Sequence, residues 1–156
     1  EGELALIIGR GGRHIPEAEA LDHIAGYSCF VDGSIRDFQR HSVIAGKNFP
    51  GSGACGPWLV TADEIPDPSA LQLTTTLNGH MVQQAGAEQL IYAIPTIIAY
   101  ISTFTSLGPG DVIATGTPSG VGAGRTPPLW LRPGDELVVE ISGIGRLRNR
   151  VVAEET

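Results

Sequence analysis

The chain has 156 residues, of which 42% are hydrophobic and 17% charged, and its formal net charge is −7. One domain of that length buries roughly 68–70% of its unfolded surface, and no run of eighteen apolar residues marks a bilayer span. The acidic balance excludes the clustered Lys/Arg footprint that a nucleic-acid backbone requires, so the sequence reads as a soluble domain with neither a membrane nor a nucleic-acid partner.

Leu4–Ile8 is an apolar run ending at Gly9 and reads as a buried strand. Pro16 then opens a short helical segment with Ala18, Leu21 and Ala25 on one side. From Gly26 to Gly56 the pattern is irregular and predicts loop. Trp58–Thr61 is the next strand. Leu71–Leu77 alternates apolar and polar residues up to Asn78-Gly79, a strong hairpin signal, with Met81–Gln84 as the returning strand. Ile94, Ile97, Ile98, Ile101 and Phe104 fall at helical spacing around Pro95 and predict the one long helix, its isoleucine stripe in the core. Asp111–Thr115, Glu136–Ile141 and Leu147–Val152 are the last strands, the final two joined by the Ser142-Gly143-Ile144-Gly145 turn. Nothing divides the chain into repeats or separate units.

Two carboxylates, Glu1 and Glu3, stand directly in front of the first apolar run. In a strand, residues two apart share a face at about 6.6–6.8 Å between Cα atoms, so the pair projects from one side. Two like charges 4 Å apart repel by roughly 4 kcal/mol at an effective dielectric of 20, a cost relieved by solvation, protonation or a bridging cation. A third carboxylate, Asp32, ends an apolar stretch where a strand would deliver it to a rim. Three carboxylates without a His or Cys cluster favour a hard cation, Mg²⁺ or Mn²⁺ with Ca²⁺ as a further option, over zinc. Cys29 and Cys55 belong to no C-x-x-C pair, which argues against a thiolate metal site or disulfide framework and for a reducing, cytoplasmic compartment. Nine of the ten basic residues are arginine, which leaves Lys47 as the lone lysine.

The ordered segments EGELALIIG, VDGSIRDFQ, GKNF, GPWLVTADEI, LNG, IPTIIAYIS, LGPGDVIATGTPSGVG and LRPGDELVVEISGIGRLRN resemble the catalytic domain of the fumarylacetoacetate hydrolase family over nearly the whole chain. The resemblance implies a β-rich α+β fold, a mixed β-sandwich roll with one main helix and short helical segments. It implies Glu1, Glu3 and Asp32 as metal ligands, Arg36, Gln39 and Thr117 as substrate contacts, and Lys47 as the catalytic cation beside the metal. The implied chemistry is hydrolysis of a C–C bond in a small 2,4-dioxo acid, with negative charge stabilised on the substrate's oxygens. Isomerisation or decarboxylation of hydroxymuconate-type diacids or oxaloacetate is the alternative, and a non-catalytic metal-binding module is the reading of another class. The family also implies a homodimer.

Two departures stand out. Val31 and Ile35 replace the Asn and Ala usual beside the Asp ligand, which makes that rim bulkier and less polar. Family members also continue upstream of the Glu-x-Glu segment, with a His-x-x-Glu acid–base pair there. Residues 1–156 are accordingly read as the catalytic domain, without that upstream region. His14-Ile-Pro-Glu17 has the same spacing, but Pro16 interrupts it and it falls where the family has an ordinary helix start. His23, His41 and His80 show no ligand spacing and read as surface or capping residues. Gly116–Gly124 lacks the Gly-Lys-Ser/Thr of a nucleotide loop and reads as a turn on the substrate side. Trp58 and Trp130 read as packing or subunit contacts.

Overall fold

A computed structural model describes residues 1–154. Strands β1 (Gly2–Ile8), β2 (Ile24–Val31), β3 (Ala54–Thr61) and β6 (Val112–Ala114) form one sheet in the order β3-β2-β1-β6. Strands β4 (Gln72–Leu77), β5 (His80–Gly86), β7 (Glu136–Ile141) and β8 (Gly145–Arg150) form the other, in the order β5-β4-β7-β8. Every strand pair in both sheets is antiparallel. The single α-helix among the described residues, α1, runs from Ile94 to Phe104. This is the β-rich, two-sheet architecture with one main helix that the sequence predicts.

The sheets pack face to face, β1 on β4 and β7, and β2 on β7 and β8. Leu4, Leu6 and Ile8 of β1, Tyr27 and Cys29 of β2, and Leu137, Val139 and Ile141 of β7 form the shared core. Each buried aliphatic side chain contributes about 1.5–3 kcal/mol relative to exposure, so this layer dominates the fold's stability. Strand alternation puts Gly2 on the same side as Leu4, and its position there is tight: a Cβ would lie 2.2 Å from Thr75 Oγ1 of β4 and 3.0 Å from Val139 Cγ2 of β7. The side chains of Glu1 and Glu3 therefore leave β1 on the opposite, outer side.

The hairpin at Asn78-Gly79 forms with φ of +51° and +79°, the left-handed pair that a two-residue turn between twisted strands requires. Ile94 and Ile98 of α1 are buried as expected, with Ile97 and Ile101 packed against the core.

Three expectations need correction. The span predicted as loop, Gly26 to Gly56, contains most of β2, from Gly26 to Val31, and the start of β3. Its Gly26 is a close-approach residue, since a Cβ would come 2.2 Å from the Val60 carbonyl oxygen of β3. The segment after Pro16 is a 3₁₀ run, Glu17–His23, so residues three apart share a face. Ala20 and His23 are buried while Leu21 is 43% exposed. His23 is thus a core histidine, its Nδ1 paired with the Arg10 carbonyl at 2.7 Å and its Nε2 with Arg10 Nη2 at 2.9 Å. Phe104, at the helix end, is 63% exposed and stacks edge-on against Tyr100. His14 follows the far end of β1 from Glu3, so the His14/Glu17 pair lies away from the carboxylates.

Candidate metal centre

Three carboxylates meet at the start of β1. Gly2 pairs with Val31 across the β1–β2 ladder, and the Asp32 amide donates to the Glu1 carbonyl at 2.9 Å. That register puts Asp32, the residue after β2, beside Glu1 and Glu3 on the outer side of the sheet. One oxygen from each of Glu1, Glu3 and Asp32 lies within 4.8 Å of the other two. Glu3 is only 4% exposed, and its Oε2 accepts the Gly116 amide at 2.8 Å.

Two cations balance the cluster. Lys47, at the end of a short 3₁₀ turn, bonds Asp32 Oδ2, reaches Glu1 Oε2 at 3.1 Å and donates to Ser34 Oγ at 3.2 Å. Arg36 bonds Glu1 Oε1 and is steadied by Gln39, whose Oε1 accepts its Nη1 at 2.9 Å. Gln39 Nε2 is buried without a partner, a spare donor next to the arginine.

The protonation equilibria follow this arrangement. Burial pulls the Glu1 carboxyl upward, but hydrogen bonds and charge from Lys47 and Arg36 outweigh it and hold the group below the ordinary glutamate value. Among the described residues no side-chain cation is in contact with Glu3. Burial raises it, the Gly116 amide opposes that, and the charges of Asp32 and Glu1 raise it further. Burial works to neutralise Lys47, yet its bonds to Asp32 and Glu1 prevail and keep it an ammonium to higher pH than a free lysine.

A hard divalent cation fits these residues. The donors are all carboxylate oxygen, they converge from two strand ends on a partly open face, and Lys47 already bridges two of them as a positive charge.

Thr117 is placed differently from the other predicted contacts. Its hydroxyl donates to the Gly2 carbonyl at 3.0 Å and accepts Gln83 Nε2 at 2.8 Å, so its one proton is spent inside the protein. Ser34 and Gln83 were not anticipated, and Gly116 was read only as the start of a substrate-side turn, not as a partner of Glu3. Ser34 sits in the same short segment as Asp32 and could have been included on proximity, whereas Gln83 comes from the other sheet and carries no local signal. A cavity of about 600 Å³ opens between the sheets, lined by Leu4, Leu73, Ile97 and the 115–119 segment. It lies on the inner side of β1, and none of the three carboxylates lines it.

Residues 1–152 match the family model for the C-terminal domain of fumarylacetoacetate (FAA) hydrolase. The chain is 42% identical to the 4-hydroxyphenylacetate degradation bifunctional isomerase/decarboxylase of Escherichia coli, over 100% of this chain and 35% of that protein. Its fold matches fumarylacetoacetate hydrolase from psychrophilic Exiguobacterium antarcticum with a TM-score of 0.95 at 42% identity, covering 99% of this chain and 56% of that one. It also matches fumarylpyruvate hydrolase from Pseudomonas aeruginosa, solved in complex with Mn²⁺ and pyruvate, with a TM-score of 0.90 at 34% identity, covering 99% of this chain and 65% of that one. The chain spans roughly a third to a half of the length of the curated relatives it matches. The match runs nearly from end to end and the two-sheet fold agrees with it: the chain belongs to the fumarylacetoacetate hydrolase family.

Proposed function

We propose that this chain is the catalytic domain of a divalent-metal-dependent hydrolase that cleaves a C–C bond in a small 2,4-dioxo acid. The observation that carries the reading is the convergence of Glu1, Glu3 and Asp32 within 4.8 Å, with Lys47 across two of them. Their oxygens would hold Mg²⁺ or Mn²⁺, and the Mn²⁺ and pyruvate bound by the Pseudomonas aeruginosa hydrolase support both the metal and an oxo-acid substrate. When bound, the ion supplies Lewis acidity toward substrate oxygens.

The chain's own residues supply the rest. Lys47, held as an ammonium by Asp32 and Glu1 in the metal-free site, is a positive charge for an oxygen on which negative charge builds as the bond breaks. Arg36 presents a planar fork suited to a carboxylate, with its remaining N–H groups free of Glu1 and Gln39. Gln39 steadies Arg36 through its Oε1 at 2.9 Å, and its buried Nε2 would have to turn outward to meet a substrate oxygen. Thr117, its proton committed to Gly2, can meet substrate only as an acceptor. The water-activating group is assigned to none of these residues.

The 42% identity to a bifunctional isomerase/decarboxylase favours a second reading, isomerisation or decarboxylation of a related oxo diacid at the same residues. We also propose a homodimer, for which exposed Trp58 and Trp130 offer apolar area, and a reducing compartment such as the cytoplasm, which suits the two free thiols.

The test is a calorimetric Mn²⁺ titration of the chain beside Asp32→Ala, followed by pyruvate release from an acylpyruvate. One site, lost on substitution, with turnover, supports the hydrolase. One site without any turnover of acylpyruvate or oxo diacid leaves a metal-binding module. No Mn²⁺ binding by the folded parent refutes the metal centre.

A further inference from the structure

Gly2, between the ligands Glu1 and Glu3, lies where the ladder on one side of β1 runs out. Strand β6 pairs with β1 only from Ile7 back to Ala5, followed by the Thr115 amide donating to the Leu4 carbonyl at 3.1 Å. The chain then turns away at Gly116, whose φ is +102°. Two side chains take over the vacated ladder positions. Gln83 Oε1 accepts the Gly2 amide at 2.9 Å, and Thr117 Oγ1 donates to the Gly2 carbonyl at 3.0 Å. The two are joined, since Gln83 Nε2 donates to Thr117 Oγ1 at 2.8 Å and to the Pro118 carbonyl at 2.9 Å. Gln83 belongs to β5 of the opposite sheet, is 5% exposed and uses both ends of its amide in this ring.

The residue so held is the one that most needs holding. Glycine has more backbone freedom than any other residue, and the chain has to use one here because a Cβ would strike Thr75. Rotation about Gly2 would swing Glu1 relative to Glu3 and change the spacing of their oxygens. Glu3 is pinned a second time by the Gly116 amide, which sits next to Thr117 in sequence.

We propose that Gln83 is the positioning residue of the metal centre, which, with Thr117, locks the Gly2 peptide so that Glu1 and Glu3 face one cation. The role rests on the metal-centre reading. It is an outer contact that orients ligands without touching the ion, the kind whose loss typically weakens metal affinity about 10–100-fold.

The test measures Mn²⁺ affinity by calorimetry on the full chain, for the parent and for Gln83→Met, Thr117→Val, Thr117→Ser and the double variant Gln83→Met/Thr117→Val. Circular dichroism first shows each variant folded at the titration temperature, since a merely structural role lowers the melting temperature but leaves the affinity of folded protein alone. Gln83→Met and Thr117→Val are each expected to bind about 10–100-fold more weakly. The double variant is expected to bind no more weakly than the worse single one, because both act through one peptide. Thr117→Ser, which restores the hydroxyl, is expected to bind within a few-fold of the parent. If Gln83→Met does not fold, the valine–serine contrast at Thr117 decides through the same peptide. Parent-like affinity in folded Gln83→Met, or equal affinities of Thr117→Val and Thr117→Ser, overturns the proposal and leaves the metal centre standing. A parent that binds no Mn²⁺ overturns both.

Discussion

Replacing Gly2 by alanine tests how closely strand β1, which carries the carboxylate cluster, is pressed against the opposite sheet. The added methyl would lie 2.2 Å from Thr75 Oγ1, more than an ångström inside the 3.4 Å at which ordinary contact begins, and 3.0 Å from Val139 Cγ2. Neither neighbour has room to retreat: Thr75 is 1% exposed and Val139 fully buried. Overpacking of this kind costs about 1–3 kcal/mol, offset by about 0.4–1 kcal/mol from the smaller backbone entropy of alanine in the unfolded chain. A net loss of about 1–2 kcal/mol lowers the melting temperature of a domain this size by about 2–8 °C. The clash is chiefly with one atom, and Thr75 Oγ1 has no hydrogen-bond partner to lose. Thr75→Ala removes that atom and leaves Thr75 Cβ 3.4 Å from the new methyl. In metal-free urea titrations of the parent, both single variants and the double, the double variant is expected to recover at least about 1 kcal/mol relative to additivity. A Gly2→Ala chain as stable as the parent, or strictly additive losses, would refute the close approach.

Two further outcomes follow from the buried ionisable groups. The folded state holds the proton of Glu3 to higher pH than the unfolded chain, so Glu3's contribution to metal-free stability falls as pH rises from the ordinary value of 4.5 through the raised folded one. In EDTA, Glu3→Gln is therefore expected to become more stable than the parent across that window and to stay so up to pH 8, while losing Mn²⁺ affinity. Urea midpoints against pH measure this, and a stability gap that closes as pH rises contradicts it. Of the two cysteines, Cys29 is fully buried, with its thiol pushed up to about 11 by burial, whereas Cys55 is exposed. Native protein at pH 8 is expected to take one equivalent of a thiol reagent and denatured protein two. Fast modification of both thiols in native protein would contradict the packing of β2.

The carboxylate cluster was legible because its signals are local. Glu1 and Glu3 share a face by the two-residue period of a strand, and Asp32 closes an apolar run. The hairpin at Asn78-Gly79 and the helix at Ile94 rest on equally short-range chemistry. Strand β2 was obscured because Gly26 and Ser28 mimic loop composition, when the small side chain at Gly26 answers the approach of β3. At Glu17–His23 the choice between a period of 3.6 and one of 3 reversed which side is buried. Gln83 was beyond reach, since its bond to Gly2 spans 81 positions and crosses from one sheet to the other. The side chains that bear charge could be picked out from their neighbours in sequence, but the group that holds their backbone could not.

The ionic make-up of the cluster bears on how a cation would enter it. Three carboxylates face two side-chain cations, Lys47 and Arg36, which already occupy oxygens of Glu1 and Asp32 in the metal-free chain. A divalent ion held by Glu1, Glu3 and Asp32 would compete with Lys47 and Arg36 for the oxygens those two side chains occupy. Lys47 and Arg36 would thus act as stand-ins for the ion, holding the carboxylates together in its absence and released from them to the extent that it takes their place.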